Sequence, residues 1–273
     1  MSRYFFVITF ILIAFNSFSQ TYEELVNKSM DYLEAKEYEA AEETLKLAMR
    51  KEPGNEANIL LLSNLGTIQR HLGKKEEALI SYTSALSKYP NNTFALQNRA
   101  ALFCEMDSLA AAMRDYNIIL SYDEDNVEAL YRRGLIYMSE KNYLAAEADF
   151  EQALDINPNY VPVQGSLAFA IKTRGDWEGA EEKYTDLIYN NKSQPDFYIH
   201  RAECYLNMKK LARAKEDLRK AEELKSQDPL LYIVRGQLNL HQFDKFAARE
   251  DFKKAQEMGA DEDLVNHYLP LCK

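Results

Sequence analysis

The chain has 273 residues and a formal net charge of −10, with only 9 Gly and 7 Pro. This acidic balance argues against general binding of nucleic acid, which requires a basic surface. A composition poor in helix breakers and rich in Ala, Leu, Glu and Lys predicts an all-helical protein.

The first 19 residues have the organisation of a secretory signal peptide and resemble those of bacterial exported proteins. Arg3 precedes an apolar run of twelve residues, and the small residues Ser17 and Ser19 fit the rule for signal-peptidase cleavage. That run is shorter than the roughly 17–25 residues that span a bilayer. We therefore expect a signal peptide over 1–19, cleavage after Ser19, and a mature chain without a membrane span in the periplasm or extracellular space. An uncleaved anchor is the alternative.

A pattern of small and large side chains recurs along the rest of the chain. An alanine returns at intervals of 37, 34, 34, 34, 34 and 34 residues, at Ala41, Ala78, Ala112, Ala146, Ala180, Ala214 and Ala248. A small residue stands twelve positions before each alanine, and a large one stands four positions after it. The pattern defines seven units with an insertion at 56–58: 22–55, 59–92, 93–126, 127–160, 161–194, 195–228 and 229–262.

Each unit is typical of two amphipathic helices joined by a short polar turn, such as Lys141-Asn142. Counted from the first residue of a unit, the small residues occupy repeat positions 8 and 20, where they allow the two helices to approach closely. The large residue at repeat position 24 fills the space between neighbouring units. Pro53, Pro90 and Pro158 are expected to end second helices. One hairpin cannot bury its own apolar face, but stacked hairpins can.

This pattern resembles the tetratricopeptide repeat family over residues 22–262. The resemblance implies an all-α, right-handed superhelical solenoid of seven helix-turn-helix repeats, with first helices lining a concave groove and second helices the convex side. Family members are non-enzymatic scaffolds that hold extended peptides or partner helices in that groove. We therefore expect a protein or peptide partner and no cofactor. Residues 263–273 are expected to form a short C-terminal capping helix that begins at Asp263 and covers the open end of the solenoid.

Two charged positions vary together among the units. Repeat position 7 is Arg and repeat position 23 is Asp in the same four units, and the other three units have neither residue. Such covariation predicts contact, here an ion pair between the two helices of a hairpin with a structural role. The predicted pairs are Arg99 with Asp115, Arg133 with Asp149, Arg201 with Asp217, and Arg235 with Asp251.

In this family, side chains that face the groove stand mainly at repeat positions 2, 5, 6, 9, 12 and 13. Position 6 carries Asn27, Asn64 and Asn98 in three successive units and Arg132 in the next. A side-chain amide both donates and accepts, so it can bind a peptide backbone of any sequence. The run resembles the asparagine ladder of protein O-GlcNAc transferases. Solvated amides without a binding role are the alternative.

Aromatic residues and charge complete the predicted binding surface. Phe94, Tyr131 and Phe169 are candidate anchors for a partner, with partial burial between first helices as the alternative. The charged groove positions are Glu23, Glu34, Glu105, Glu128, Asp196 and Glu203 against Arg70, Arg132 and Lys172. This mildly acidic groove favours a neutral or basic peptide.

Catalysis finds no support in the sequence. The four histidines include no pair with zinc-helix spacing, and His200 with Cys204 supplies too few ligands for a metal site. Three cysteines are too sparse for a disulfide framework, and we expect them to be small buried hydrophobes. The chain is therefore expected to be a binding scaffold of the bacterial envelope. A structural subunit that uses its convex or end surfaces, or a regulator of an envelope enzyme, is the alternative.

Overall fold

A computed structural model describes residues 20–273, and the predicted signal peptide lies outside them. The described residues form fifteen α-helices and one 3-10 helix, with no β-strand, which confirms the all-helical fold. No helix within 20–273 is long and apolar enough to cross a membrane. The described residues divide into two compact units, an N-terminal unit that ends at Glu105 and a C-terminal unit over residues 106–273.

The N-terminal unit contains two helical hairpins and one further helix. Its helices are α1 (Tyr22–Glu34), α2 (Tyr38–Lys51), α3 (Asn58–His71), α4 (Lys75–Lys88) and α5 (Thr93–Glu105). Thr21 begins α1 with a capping box, because its hydroxyl accepts from the backbone N–H of Glu24 at 3.1 Å and the Glu24 carboxylate accepts from the Thr21 N–H at 2.8 Å. The small and large positions of the repeat pattern, Ala41, Leu45 and Ala78 among them, are fully buried.

The C-terminal unit continues the same alternation of first and second helices. Its helices are α6 (Leu109–Tyr122), α7 (Val127–Ser139), α8 (Tyr143–Ile156), α9 (Val161–Thr173), α10 (Trp177–Asn190), α11 (Pro195–Asn207), α12 (Leu211–Glu223), α13 (Leu230–His241), α14 (Lys245–Glu257), α15 (Glu262–Tyr268) and the 3-10 helix Leu269–Cys272. Consecutive helices pack as antiparallel hairpins, and each hairpin packs on the next one.

The turn inside each repeat requires a left-handed backbone. Repeat position 15 has a positive φ in all seven repeats, at Lys36, Gly73, Asp107, Lys141, Gly175, Lys209 and Phe243. Glycine adopts this conformation freely, whereas a bulky side chain does so at a cost. Phe243 is therefore unusual, since it has φ 62° and its side chain is 90% exposed.

Prolines end second helices as the sequence predicts. Helix α2 ends two residues before Pro53, α4 two residues before Pro90, and α8 two residues before Pro158. A proline ring restricts the preceding residue to extended backbone, so the helix cannot continue through it.

A close contact between repeat positions 8 and 24 sets the packing of each hairpin. Gly134 lies against the ring of Phe150, and a Cβ added to Gly134 would stand 2.4 Å from that ring. Gly66 meets Tyr82 and Gly236 meets Phe252 in the same way. These rings are fully buried. An aromatic residue at position 24 therefore packs directly on the backbone of the first helix in these repeats.

Arginine and aspartate meet in three of the four repeats that lie wholly within the C-terminal unit. Arg133 donates to Asp149 through two N–H groups at 2.7 and 2.8 Å, and Arg201 donates to Asp217 at the same distances. Arg235 and Asp251 form the third pair. Arg99 and Asp115 stand on either side of the division between the units, so their pairing stays a prediction.

Each of these arginines also reaches the second helix of the preceding repeat. Arg133 donates to Asn117 at 2.8 Å and Arg201 donates to Thr185 at 3.1 Å, both at repeat position 25. Arg235 pairs with Glu222. One guanidinium therefore joins three helices and fixes one hairpin against the next, a connection that covariation between positions 7 and 23 does not reveal.

The C-terminal segment covers the last repeat. Asp261 caps α15 by accepting from the Leu264 N–H at 2.8 Å, so the capping residue lies two positions before the expected Asp263. The ring of Tyr268 stacks on Phe252 with centroids 5.1 Å apart, and its hydroxyl accepts from Gln237 at 2.7 Å. Buried Val265 packs in the same cluster. Leu230, Ile233 and Leu240, which stand at groove positions of the last repeat, pack in this cluster too.

The three cysteines, all within the described residues, form no disulfide. Cys204 and Cys272 are buried as expected, but Cys104 is exposed, and this part of the expectation is wrong. Burial raises the pKa of the Cys204 thiol to about 12, so this side chain stays neutral and unreactive.

We predict that Gly134→Ala lowers the free energy of unfolding by about 1–3 kcal/mol, because the added methyl group overlaps the Phe150 ring. Gly165→Ala is the matched control, since its Cβ would meet nothing closer than 3.8 Å. It should be neutral or raise stability by up to about 1 kcal/mol through helix propensity. Urea denaturation of both variants measures this, and equal effects would contradict the packing argument.

We also predict that Asp217→Ala lowers the free energy of unfolding by about 3–5 kcal/mol, because it leaves Arg201 partly buried without its carboxylate. Replacing both residues with apolar ones should cost less than this single change. The exposed pair Arg219–Glu223 serves as the control, and Glu223→Ala should change stability by less than about 1 kcal/mol. A double-mutant cycle gives the coupling, and an additive result would contradict the prediction.

Candidate protein-binding face

In each of the two units, we call the side chains at repeat positions 2, 5, 6, 9, 12 and 13 of the first helices the first-helix face. In the N-terminal unit it carries the three predicted asparagines on α1, α3 and α5. Asn27 is exposed, whereas Asn64 is half-buried and its amide lies 3.6 Å from the sulfur of Met30. Asn98 donates to the carbonyl of Phe94 in its own helix at 2.8 Å. The amides therefore differ in their surroundings, and the ladder stays a prediction.

The predicted aromatic anchors also differ from one another. Phe94 is 47% exposed and Phe169 is 42% exposed. Tyr131 is half-buried, with its ring 6.1 Å from that of Phe150 and 5.7 Å from that of Tyr160. Tyr131 thus packs within the protein, and Phe94 and Phe169 are the rings available to a partner.

All three basic side chains predicted on this face are paired with acidic ones. Arg132 binds Glu128 at 2.7 Å and lies over the Tyr131 ring. Arg70 binds Glu105 at 2.6 Å, and Lys172 binds Glu203 at 2.5 Å. The remaining charged groove positions are acidic, namely Glu23, Glu34 and Asp196. The net charge of the face is therefore negative.

An apolar pocket with a volume of about 510 Å³ opens on this face between α7, α9 and α11 of the C-terminal unit. Eight of its twelve lining residues stand at the repeat positions that define the first-helix face. The lining residues are Leu135, Met138, Val161, Pro162, Gly165, Ser166, Phe169, Tyr184, Gln194, Asp196, Phe197 and His200. Of the anchors predicted from sequence, only Phe169 lines this pocket.

The pocket exists because Gly165 has no side chain. Repeat position 5 holds Tyr131 in the preceding repeat and the buried Ile199 and Ile233 in the two repeats that follow. At Gly165 a Cβ would point toward the ring of Phe197, 3.8 Å away. Space filled by a side chain in neighbouring repeats is thus open in this one. Comparing position 5 across the repeats is the sequence signal that could have located the pocket.

Tyr184 lies at the floor of the pocket. Its side chain is only 1% exposed, and its hydroxyl has no hydrogen-bond partner among the described residues. Burial raises the pKa of this phenol well above its ordinary value, so it keeps its proton. An unpaired buried hydroxyl costs about 1–3 kcal/mol. Phe150 and Phe252 occupy the same repeat position, 24, and have no hydroxyl group. Packing alone therefore does not explain the hydroxyl of Tyr184.

A charged cluster stands beside the pocket. Lys172 is 6% exposed, binds Glu203, lies 3.1 Å from Nδ1 of His200 and faces the Phe169 ring at 4.8 Å. The ring of His200 in turn stacks against that of Tyr184 at 5.5 Å. Burial opposes ionisation of Glu203, but the adjacent His200 and Lys172 side chains hold the pKa of this carboxyl below its ordinary value. The cluster orients Phe169 and His200 at the pocket wall.

No group of three or more His, Cys, Asp or Glu side chains within residues 20–273 is arranged to hold a metal ion.

We predict that Glu203→Gln lowers the free energy of unfolding at pH 7, because it leaves the buried Lys172 without its counter-charge. A carboxyl whose pKa is lowered by folding stabilises the protein above its unfolded pKa of about 4.3, and this stabilisation disappears as the pH falls through the folded pKa. The difference from the unmodified protein should therefore shrink below about pH 4. Urea titrations at pH 7, 5 and 3.5 test this, with Glu250→Gln at an exposed pair as the control. A difference in stability that does not change with pH would contradict the role of the Glu203 carboxylate as the counter-charge of Lys172.

Known proteins share this architecture. Tetratricopeptide repeat models match residues 62–92, 127–160 and 195–228. The crystal structure of a tetratricopeptide repeat protein from Parabacteroides merdae is 42% identical, with a TM-score of 0.71, over 92% of this chain and 98% of that one. YrrB, described as a tetratricopeptide protein with an unusual peptide-binding site, is 19% identical with a TM-score of 0.54, over 68% of this chain and 96% of that one, and shows the fold alone.

Curated relatives match over shorter stretches. RNA polymerase II-associated protein 3 from Xenopus laevis is 30% identical over 95 residues, which are 35% of this chain and 14% of that protein. The chain spans about a third or less of the curated relatives that it matches. Family models, repeat geometry and the near full-length match with the Parabacteroides merdae protein agree, and the chain belongs to the tetratricopeptide repeat family.

Proposed function

We propose that this protein is a non-catalytic scaffold of the bacterial envelope that binds an extended segment of a partner protein on its first-helix face. Proteins of this family are protein-interaction scaffolds, and this coarser role belongs to the chain with its family. The apolar pocket over Gly165 carries the finer proposal. Pockets of this size, with apolar walls and a few polar groups, are typical binding sites.

The envelope location rests on the N-terminal sequence. A single basic residue, an apolar run and small residues before Gln20 form the pattern of an exported chain. An exported scaffold would meet its partner outside the cytoplasm, so the partner is sought in envelope extracts.

The alternative, a structural subunit that binds through other surfaces, has one observation in its favour. Tyr189, Phe243 and Phe246 are 75%, 90% and 78% exposed, and none of them lines the pocket. Phe243 also has a left-handed backbone that glycine would adopt more readily. Exposed aromatic side chains of this kind are frequent anchors in interfaces.

Affinity capture from an envelope extract separates the two functions with two matched substitutions. Phe169→Ser alters the first-helix face, and Phe246→Ser alters an exposed ring outside it. We expect Phe169→Ser to reduce the recovery of a partner at least tenfold and Phe246→Ser to leave it unchanged, since truncation of a central aromatic anchor typically costs about 2 kcal/mol or more. Circular dichroism checks that both variants keep their helicity.

The reverse result would assign binding to the second-helix surface and remove the proposal. A triple variant, Asn27→Ala, Asn64→Ala and Asn98→Ala, tests the asparagine run of the N-terminal unit separately. If it captures the partner as well as the unmodified protein, the run has no role in binding.

A further inference from the structure

The rings at repeat position 24 of the C-terminal unit show what the Gly165 pocket lacks. In the fourth repeat, Tyr131 at position 5 packs against Phe150 at position 24, with centroids 6.1 Å apart. In the seventh repeat, Tyr268 from the C-terminal segment stacks on Phe252 at position 24, 5.1 Å away. In both repeats a tyrosine ring contacts the position-24 ring. In the fifth repeat the His200 ring contacts Tyr184, with centroids 5.5 Å apart, whereas Gly165 leaves the place of Tyr131 at position 5 without a side chain.

The hydroxyl of Tyr184 indicates the polarity of what would complete the pocket. It is buried and has no hydrogen-bond partner among residues 20–273, and Tyr184 is one of the residues that line the largely apolar pocket. In the seventh repeat the docked Tyr268 hydroxyl is satisfied by Gln237 at 2.7 Å. A guest with an aromatic body and a hydrogen-bonding tip would satisfy the Tyr184 hydroxyl, whereas a purely aliphatic guest would leave it unpaired.

The charge at the mouth indicates what should flank that ring. Lys172 is neutralised by Glu203, whereas Asp196 is an exposed carboxylate that lines the pocket. A segment with a basic residue beside its aromatic residue therefore complements the mouth, and an acidic one is repelled.

We infer that the pocket between α7, α9 and α11 binds a tyrosine side chain of a partner protein, presented next to a lysine or arginine. The guest ring takes the place over Tyr184 that Tyr131 takes over Phe150, and the guest and Tyr184 hydroxyls share a hydrogen bond. This inference rests on the proposed function and names the partner segment that the scaffold recognises.

Four N-acetylated, C-amidated dipeptides test the inference: Arg-Tyr, Arg-Phe, Arg-Leu and Glu-Tyr. Titrations of the ¹⁵N-labelled protein, followed by the amide signals of Gly165 and its neighbours, give a dissociation constant for each. We expect Arg-Tyr to bind about threefold to tenfold more tightly than Arg-Phe, which is the range for one hydrogen bond. Arg-Leu and Glu-Tyr should be weaker than Arg-Tyr.

Two variants locate the effect. Gly165→Tyr places a tyrosine ring of the protein itself in the pocket. It should therefore abolish binding of Arg-Tyr while keeping or raising the melting temperature. Tyr184→Phe should make Arg-Tyr and Arg-Phe bind equally. Gly165→Ala, a small addition with room around it, should retain binding.

Equal binding of Arg-Leu and Arg-Tyr, or unchanged binding by Gly165→Tyr, would overturn the inference. So would a preference for Arg-Tyr over Arg-Phe that survives in Tyr184→Phe. These results are separable from the scaffold proposal. If Phe169→Ser loses the captured partner but the dipeptides show no aromatic preference, the scaffold role stands and the tyrosine assignment fails. If Arg-Tyr binds as expected but capture depends on Phe246 instead, the scaffold proposal fails and the pocket assignment stands.

Discussion

The contact between repeat positions 8 and 24 is the constraint on which the rest of the structure depends. Where Gly134 stands, the Phe150 ring can rest on the backbone of the first helix, and the two helices of the hairpin approach closely. That approach brings position 7 within reach of position 23, so Arg133 and Asp149 can meet through two hydrogen bonds. A bulkier residue at position 8 would separate the helices and break both contacts.

The candidate site arises from the same geometry with one side chain removed. Because the hairpins repeat, each side chain on the first-helix face has an equivalent in the next repeat, and a glycine at one position opens a space of known shape. Gly165 does this beside Tyr184, whose ring the packing rule places at the floor. The charged cluster of Lys172, His200 and Glu203 then holds the wall in place.

Much of the fold was predictable from sequence because the repeat supplies seven observations of one packing rule. Turns such as Lys141-Asn142 and helix ends before Pro158 follow from backbone chemistry that acts within a few residues. The pairing of Arg201 with Asp217 could be predicted because repeat positions 7 and 23 vary together. The hydrogen bond from Arg201 to Thr185 in the preceding repeat could not be predicted, since it depends on the angle between hairpins. The free hydroxyl of Tyr184 and the pairing of Lys172 with Glu203 likewise depend on side-chain placement in three dimensions. Sequence reasoning therefore chose Tyr131, a ring that packs within the protein, as a candidate anchor, and it overlooked Gly165 at the pocket.

The C-terminal segment determines how the series of repeats ends. Tyr268 lies on Phe252 and Val265 is buried beside it, so the last hairpin presents polar side chains of α15 where a further repeat would otherwise stack. Another copy of the chain could pack end-on against Phe252 only by displacing this segment. The C-terminal segment thus covers the apolar surface of the last hairpin on which stacking of a further repeat or of an identical subunit would depend.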